Sequence, residues 1–181
     1  MTCSLERALA YENADVVHKF ADHFGVADAE AELIFAEAKK WLWLNSLEDR
    51  PPLAVTSEIQ VLDEMWHTFV LFTRDYSEYC QSRFGRYMHH KPTSRREKEA
   101  EAAEPEAFDR RRRQEMAIQY RFIAAHLGED TLVRWYADYP LRYGRDFFTR
   151  FGIDLPELAP EVAARMRALV ASDHGGREAR P

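Results

Sequence analysis

Only two cysteines, Cys3 and Cys80, occur in the 181 residues. Cys3 lies where chains usually fray, so no disulfide framework is expected and a reducing cytoplasm fits. Long apolar runs are missing as well: none approaches the roughly 18 residues that cross a bilayer. The opening MTCSLERALAYENADVVHKF lacks the basic segment and long apolar stretch of an export signal. The chain is therefore expected to be cytoplasmic, with no membrane partner. Positive charge is in deficit, with a formal net charge of -6, which argues against a protein whose main task is to neutralise phosphates. No nucleic-acid partner is expected. Also absent are a Gly-x-Ser-x-Gly elbow, a phosphate-cradling glycine loop and a His-Glu-x-x-His helix, so nucleophilic catalysis finds little support. Apart from one short candidate extended piece at residues 86–90, no segment alternates with the period of a strand.

What the sequence does contain is helical periodicity. With 46% hydrophobic and 31% charged residues, the composition suits one compact globular domain with a real core. The expected class is mainly α, a single helical domain over residues 1–172 followed by a disordered tail over 173–181, in which His174 has no role. Val16, Val17, Phe20 and Phe24 form a stripe closed by Gly25, and this is expected to be the first helix. Between Asp28 and Leu47, Ala31, Ile34, Phe35, Ala38, Trp41, Leu42 and Asn45 follow helical spacing, with Glu30, Glu37, Lys39 and Lys40 on the other side. Asp28 is placed to cap that helix. Residues 94–113 have almost no core-forming side chains, and the stretch from about 94 to 110 is expected to be an exposed charged connection. The Arg110–Arg113 cluster is offset by acidic neighbours and reads as a solvated helix start.

Further on, Met116, Tyr120, Ile123 and Leu127 form a stripe closed by Gly128, and Leu132, Trp135, Tyr136 and Tyr139 a second one, expected to stop before Pro140. Tyr143, Phe147, Phe148 and Phe151 are expected to be core, with arginine stems from Arg142, Arg145 and Arg150 over the rings. A last helix is expected from about Pro160 to Ala171, with Val162, Met166, Leu169 and Val170 inward. His18, His23 and His126 read as solvent-facing bystanders.

The chemistry concentrates in LDEMWHTFVLF. On a helix, Asp63 and His67 are four apart and project within about 40° of each other, so they can touch. A carboxylate beside an imidazole can orient the ring, raise its basicity for proton transfer, or share a metal ion with it. The flanking Leu62, Met65, Trp66, Phe69, Val70, Leu71 and Phe72 leave hardly any polar stripe, so the Asp63–His67 face is expected against other protein or in a cleft. His89 and His90 follow in FGRYMHHKP; if that piece is extended, only one of them can join His67. Cys80 would lie nearly opposite His67 on an unbroken helix, and a break at Thr73 would free it to turn back.

Residues 62–92, LDEMWHTFVLFTRDYSEYCQSRFGRYMHHKP, resemble the bacterial members of the glycine-rich domain-containing-protein-like family, and YADYPLRYGRDFF resembles it more weakly. The resemblance implies that Asp63, Trp66, His67, Tyr76, Cys80, Gly85 and His90 match the family pattern. The second histidine that plant relatives place two after the first is Phe69 here. The Ser-Pro with which they break the helix is Thr73-Arg74, and the glycine-rich region is missing.

Two functional readings follow. In the first, Asp63, His67 and His90 form a two-histidine, one-carboxylate set suited to Fe(II), or Cys80 replaces Asp63 in a set that favours Zn(II). The protein is then a metal-binding protein supporting an oxidative or hydrolytic step on an unknown small molecule, with His67 and Asp63 as catalytic residues. In the second it is a non-catalytic helical module with a protein partner, in which Asp63 and His67 are a structural core pair, Cys80 is inert and His90 packs near Tyr87. Metal-free acid/base catalysis by His67, oriented by Asp63, lies between them.

Overall fold

A computed structural model of the chain describes residues 2–91 and 94–177 and shows a mainly α fold, with no strand among the described residues. The helices are α1 (Leu5–Leu9), α2 (Ala14–Phe24), α3 (Asp28–Ser46), α4 (Gln60–Leu71), α5 (Thr73–Phe84), α6 (Arg95–Ala103), α7 (Pro105–Leu127), α8 (Glu129–Val133), α9 (Tyr139–Arg142), α10 (Arg145–Thr149) and α11 (Pro160–Arg177). None of the described helices is long and apolar enough to cross a membrane. The short α1 precedes the helix expected to be first. It is tied down: the Cys3 N–H donates to Arg83 O at 2.9 Å and Trp43 Nε1 donates to Cys3 O at 3.0 Å, so this end does not depend on a disulfide. Residues 86–90 are irregular backbone, not a strand.

The long α3 organises the rest because it is buried on more than one side. It packs on α1, α2 and α4, and also on α7. Phe35 meets Tyr11 and Phe69, and Lys39 donates to Leu9 O and Tyr11 O at 2.8 and 2.5 Å. Residues 37 and 41 lie about 200° around the helix from residues 35 and 39 and meet the C-terminal part. There Glu37 accepts from Arg134 Nη1 at 2.6 Å, from Trp135 Nε1 at 2.8 Å and from Lys40 Nζ at 2.8 Å, and Trp41 packs edge-on against Trp135. One turn and more earlier on the same side, Glu30 accepts from the Tyr143 hydroxyl and pairs with Arg142 at 2.7 Å.

This corrects the expectation that Glu37 and Lys39 lie on a solvent face. Both are buried, because α3 has protein on both flanks and each charge meets fixed partners. Asp28 lies in the first turn, where its charge favours the helix N-terminus, and Ala27 holds the cap position. Gln119 locks the connection between α3 and α4 to the C-terminal part. Its side chain accepts from Ala54 N at 2.8 Å and donates to Ala54 O at 3.0 Å and to the Tyr136 hydroxyl at 2.7 Å.

The charged stretch after residue 94 is helical as well as exposed. Ser94 and Glu97 cap α6 reciprocally, and α7 begins at Pro105. Pro140 does not end its helix. Residues 134–138 form a wider turn in which the Tyr139 N–H reaches Arg134 O, so the ladder is already respaced where proline brings no donor, and the helix continues to Arg142. The aromatic cluster packs as core with Arg142 over Tyr143 and Arg150 over Phe147 and Phe151, while Arg145 pairs with Asp154.

On α11, Val162 and Leu169 are exposed, and the half-buried residues are Ala163, Met166 and Val170. Of the four residues expected inward, Met166 and Val170 are so placed and Val162 and Leu169 are not; α11 packs on the 134–138 turn and on α8 and α9. The helix also runs to Arg177, into the stretch expected as a tail; residues 178–181 lie outside the described residues.

The buried ion network on α3 gives the first prediction. Glu37→Ala leaves Arg134 and Trp135 Nε1 without their acceptor and is expected to cost on the order of 3 kcal/mol in urea unfolding. Leu33→Ser, at a position 62% exposed on the same helix, is expected to stay within about 0.5 kcal/mol.

Candidate metal centre

Helix α4 presents Asp63, His67 and Leu71 at four-residue intervals along one side, while Val61, Leu62, Met65, Trp66 and Phe69 enter the core. The helix ends at Phe72, whose φ and ψ of -83° and 63° break the ladder, and α5 starts at once with Thr73. The break expected from Thr73 is therefore present, with Thr73 inside the first turn and not at the cap. Helix α5 ends at Gly85, where φ of 69° lies in the left-handed region that favours glycine, and the chain turns back along residues 86–90.

Trp66 of α4 and Tyr76 of α5 fix that return. Trp66 Nε1 donates to the Tyr76 hydroxyl at 2.8 Å, and the Tyr76 hydroxyl donates to Met88 O at 2.5 Å. Cys80, one turn further along α5, is fully buried, and burial raises its thiol pKa. Met88 itself is held at its carbonyl. Two residues on, His90 arrives over Trp66, with ring centroids 4.2 Å apart, and beside His67 at 4.5 Å. His89 points elsewhere, is exposed and packs on Tyr87 at 4.9 Å.

The result is a three-residue group. His90 Nε2 lies 2.8 Å from Asp63 Oδ1, and His67 Nε2 lies 3.6 Å from Asp63 Oδ2. One ligand atom from each of Asp63, His67 and His90 falls within 4.8 Å of the others. Cys80 is not brought into this group. Its side chain is fully buried in the core.

Glu64, which the sequence reading passed over, completes the arrangement. Its Oε2 lies 3.4 Å from His67 Nδ1, and its Oε1 accepts from Gln60 Nε2 at 2.9 Å; the same Gln60 nitrogen lies 3.4 Å from Asp63 Oδ2. With a proton on Nδ1 directed at Glu64, His67 keeps a lone pair on Nε2 facing Asp63 and His90. The hydrogen bond to Glu64 raises the His67 pKa above its ordinary 6.5, partial burial opposes it, and the Asp63 charge adds to the rise. The only available signal in the sequence is spacing: Glu64 lies four after Gln60 and three before His67, both neighbour positions on a helix.

The group opens to a cleft of about 650 Å³. Helix α2 contributes Lys19, His23 and Phe24, and α4 contributes Glu64, His67, Val70 and Leu71, with His90 between them. His23, expected to be a bystander, is therefore a wall of this cleft. His18 lies 3.9 Å from Asp28, and His126 Nδ1 meets Phe122 O at 2.9 Å, both away from it.

Two measurements test the centre as a framework. Tyr76→Phe strands the Trp66 donor and the Met88 acceptor and is expected to lower stability by about 1–3 kcal/mol in urea unfolding. In NMR titrations, His67 is expected to titrate above 6.5, and Glu64→Gln to bring its midpoint down. The His67 contribution to stability is complete below 6.5 and is lost as pH rises through the raised value.

No curated protein and no solved structure matches the chain. The resemblance to the glycine-rich domain-containing-protein-like family is overturned by the family comparison, since a motif of thirty residues carried it while a different family matches over a far longer span. That match covers residues 8–119, from the end of α1 through α6 and into α7, and includes every residue of the centre. The chain belongs to the UCP032817-like family.

Proposed function

We propose that Asp63, His67 and His90 hold one divalent metal ion, and that the protein works through that ion on a small molecule bound in the adjoining cleft. The donor geometry supports this. Ligands about 2.1 Å from an ion are separated by about 3.0 Å at a right angle and about 3.4 Å at a tetrahedral one. His90 lies 2.8 Å from one Asp63 oxygen and His67 3.6 Å from the other, and one ligand atom of each residue lies within 4.8 Å of the others, so small side-chain rotations bring the set to those separations.

Two imidazoles and a carboxylate suit a three-ligand Zn(II) site or non-haem Fe(II). Either leaves positions for water or a substrate oxygen, the requirement for hydrolytic or oxidative chemistry and not for a closed structural site. Within this reading Glu64 fixes the His67 ring, Trp66 and the Met88 anchor fix His90, and the cleft gives access from solvent. Asp63 and His67 are the groups nearest any proton moved at the ion.

A second reading has its own observation. The 2.8 Å contact between His90 and Asp63 partners both groups without an ion, as in a structural pair within a helical interaction module. Elemental analysis and calorimetric titration with Zn(II) and, anaerobically, Fe(II) separate the two. One ion per chain is expected in the wild type, with affinity reduced at least about tenfold in His67→Ala and in His90→Ala. A folded wild-type protein that takes up neither ion overturns the metal reading in favour of the structural pair.

A further inference from the structure

We infer that the cleft takes a small amphiphilic carboxylate, with its acid group held by Lys19 and its hydrocarbon part laid on Phe24, Val70 and Leu71. The inference rests on the metal reading only for the reaction at the ligand's far end; binding itself needs the lysine and the apolar wall. Size comes first: about 650 Å³ is within the range of small-molecule sites.

The second observation is a lysine at the rim that no acidic side chain of the described residues pairs with. Glu64 is already engaged by Gln60 and His67. Lys19 makes no hydrogen bond or ion pair with the described residues, although the chain carries 31 acidic against 25 basic side chains. An uncompensated ammonium in so acidic a protein is complementary to an anion. His23 stands four residues further along α2 and adds a ring N–H to the same rim. A single ammonium with one imidazole matches a carboxylate; a phosphate dianion is better met by an arginine fork or several donors, and no arginine lines this cleft.

The third observation is Leu71. It is 71% exposed, more than any other large hydrophobic residue among those described, and it stands at the cleft where α4 ends. With the half-buried Val70 beside it and the buried Phe24 ring at the floor, it forms an apolar surface whose burial favours a ligand with a hydrocarbon portion.

The test uses butanoate, hexanoate and octanoate, with 1-hexanol as the uncharged control. Binding to the full chain is followed by calorimetry and saturation-transfer NMR, with zinc added and after chelation. The acids are expected to bind more tightly with chain length, and 1-hexanol much more weakly than hexanoate. Lys19→Ala should weaken octanoate at least about tenfold, the value of one charge-assisted hydrogen bond, while Lys19→Arg retains binding. Leu71→Asp should remove most of the dependence on chain length. Both positions are exposed, and circular dichroism confirms that the variants fold. Failure of all three acids to bind, or equal binding by Lys19→Ala, overturns the inference. Zinc uptake in the same samples separates the two readings: zinc held without acid binding removes only the carboxylate, and Lys19-dependent acid binding without zinc removes only the metal.

Discussion

The geometry of the centre depends on one buried hydrogen-bond chain, Trp66 to Tyr76 to Met88. Asp63 and His67 are set by helical spacing alone, but His90 comes from irregular backbone that no ladder holds. Trp66 solves this twice. Its N–H enters the chain that fixes the Met88 carbonyl, and its ring is the surface on which His90 rests. Because indole N–H, phenol and carbonyl are all buried, breaking any link leaves a polar atom without water to replace its partner, which holds the loop in one position.

Helix α3 supplies a second, independent constraint. A helix with partners on one side needs a single apolar stripe; one with partners on two must bury polar positions too, and α3 does so with Glu37, Lys39 and Ser46. Lysine at position 39 closes the open carbonyls at the end of α1, and glutamate at position 37 collects an indole and two cations. Apart from Lys40, three residues from Glu37, these partners lie 28 to 98 residues away in sequence, so the contacts hold the early and late parts of the chain to a common axis.

What the sequence reveals follows from these distances. The α class, the limits of α2 and α3, the break near Thr73 and the neighbourhood of Asp63 and His67 all follow from periodicity and local chemistry. The choice between His89 and His90 depends on where Met88 is anchored, a contact over 12 residues that spacing does not encode. Glu64 escapes notice because an acid beside Asp63 on a helix looks like ordinary solvated charge, and only the structure shows its oxygens divided between Gln60 and His67. Glu37 and Lys39 are misplaced by a one-face template. Pro140 is misplaced because a widened turn upstream removes the clash and the lost bond that proline normally brings. Family membership illustrates the same limit: thirty residues around the centre resemble one family, and the match over residues 8–119 assigns another.

The sharp reversal at Phe72 has a further consequence for how the molecule can diverge. Since α4 ends there and α5 runs on to a loop that returns, Asp63, His67 and His90 all come from one stretch of 28 residues, and closing so short a loop costs little chain entropy. The donor set is thus local in sequence although α4 packs on α3 and α2, whereas everything after residue 119 lies outside the matched span. The C-terminal helices reach the donors through α3 and the Phe24 wall, so a change there that keeps the partners of Glu30, Glu37 and Phe24 leaves the spacing of the donors to the segment itself.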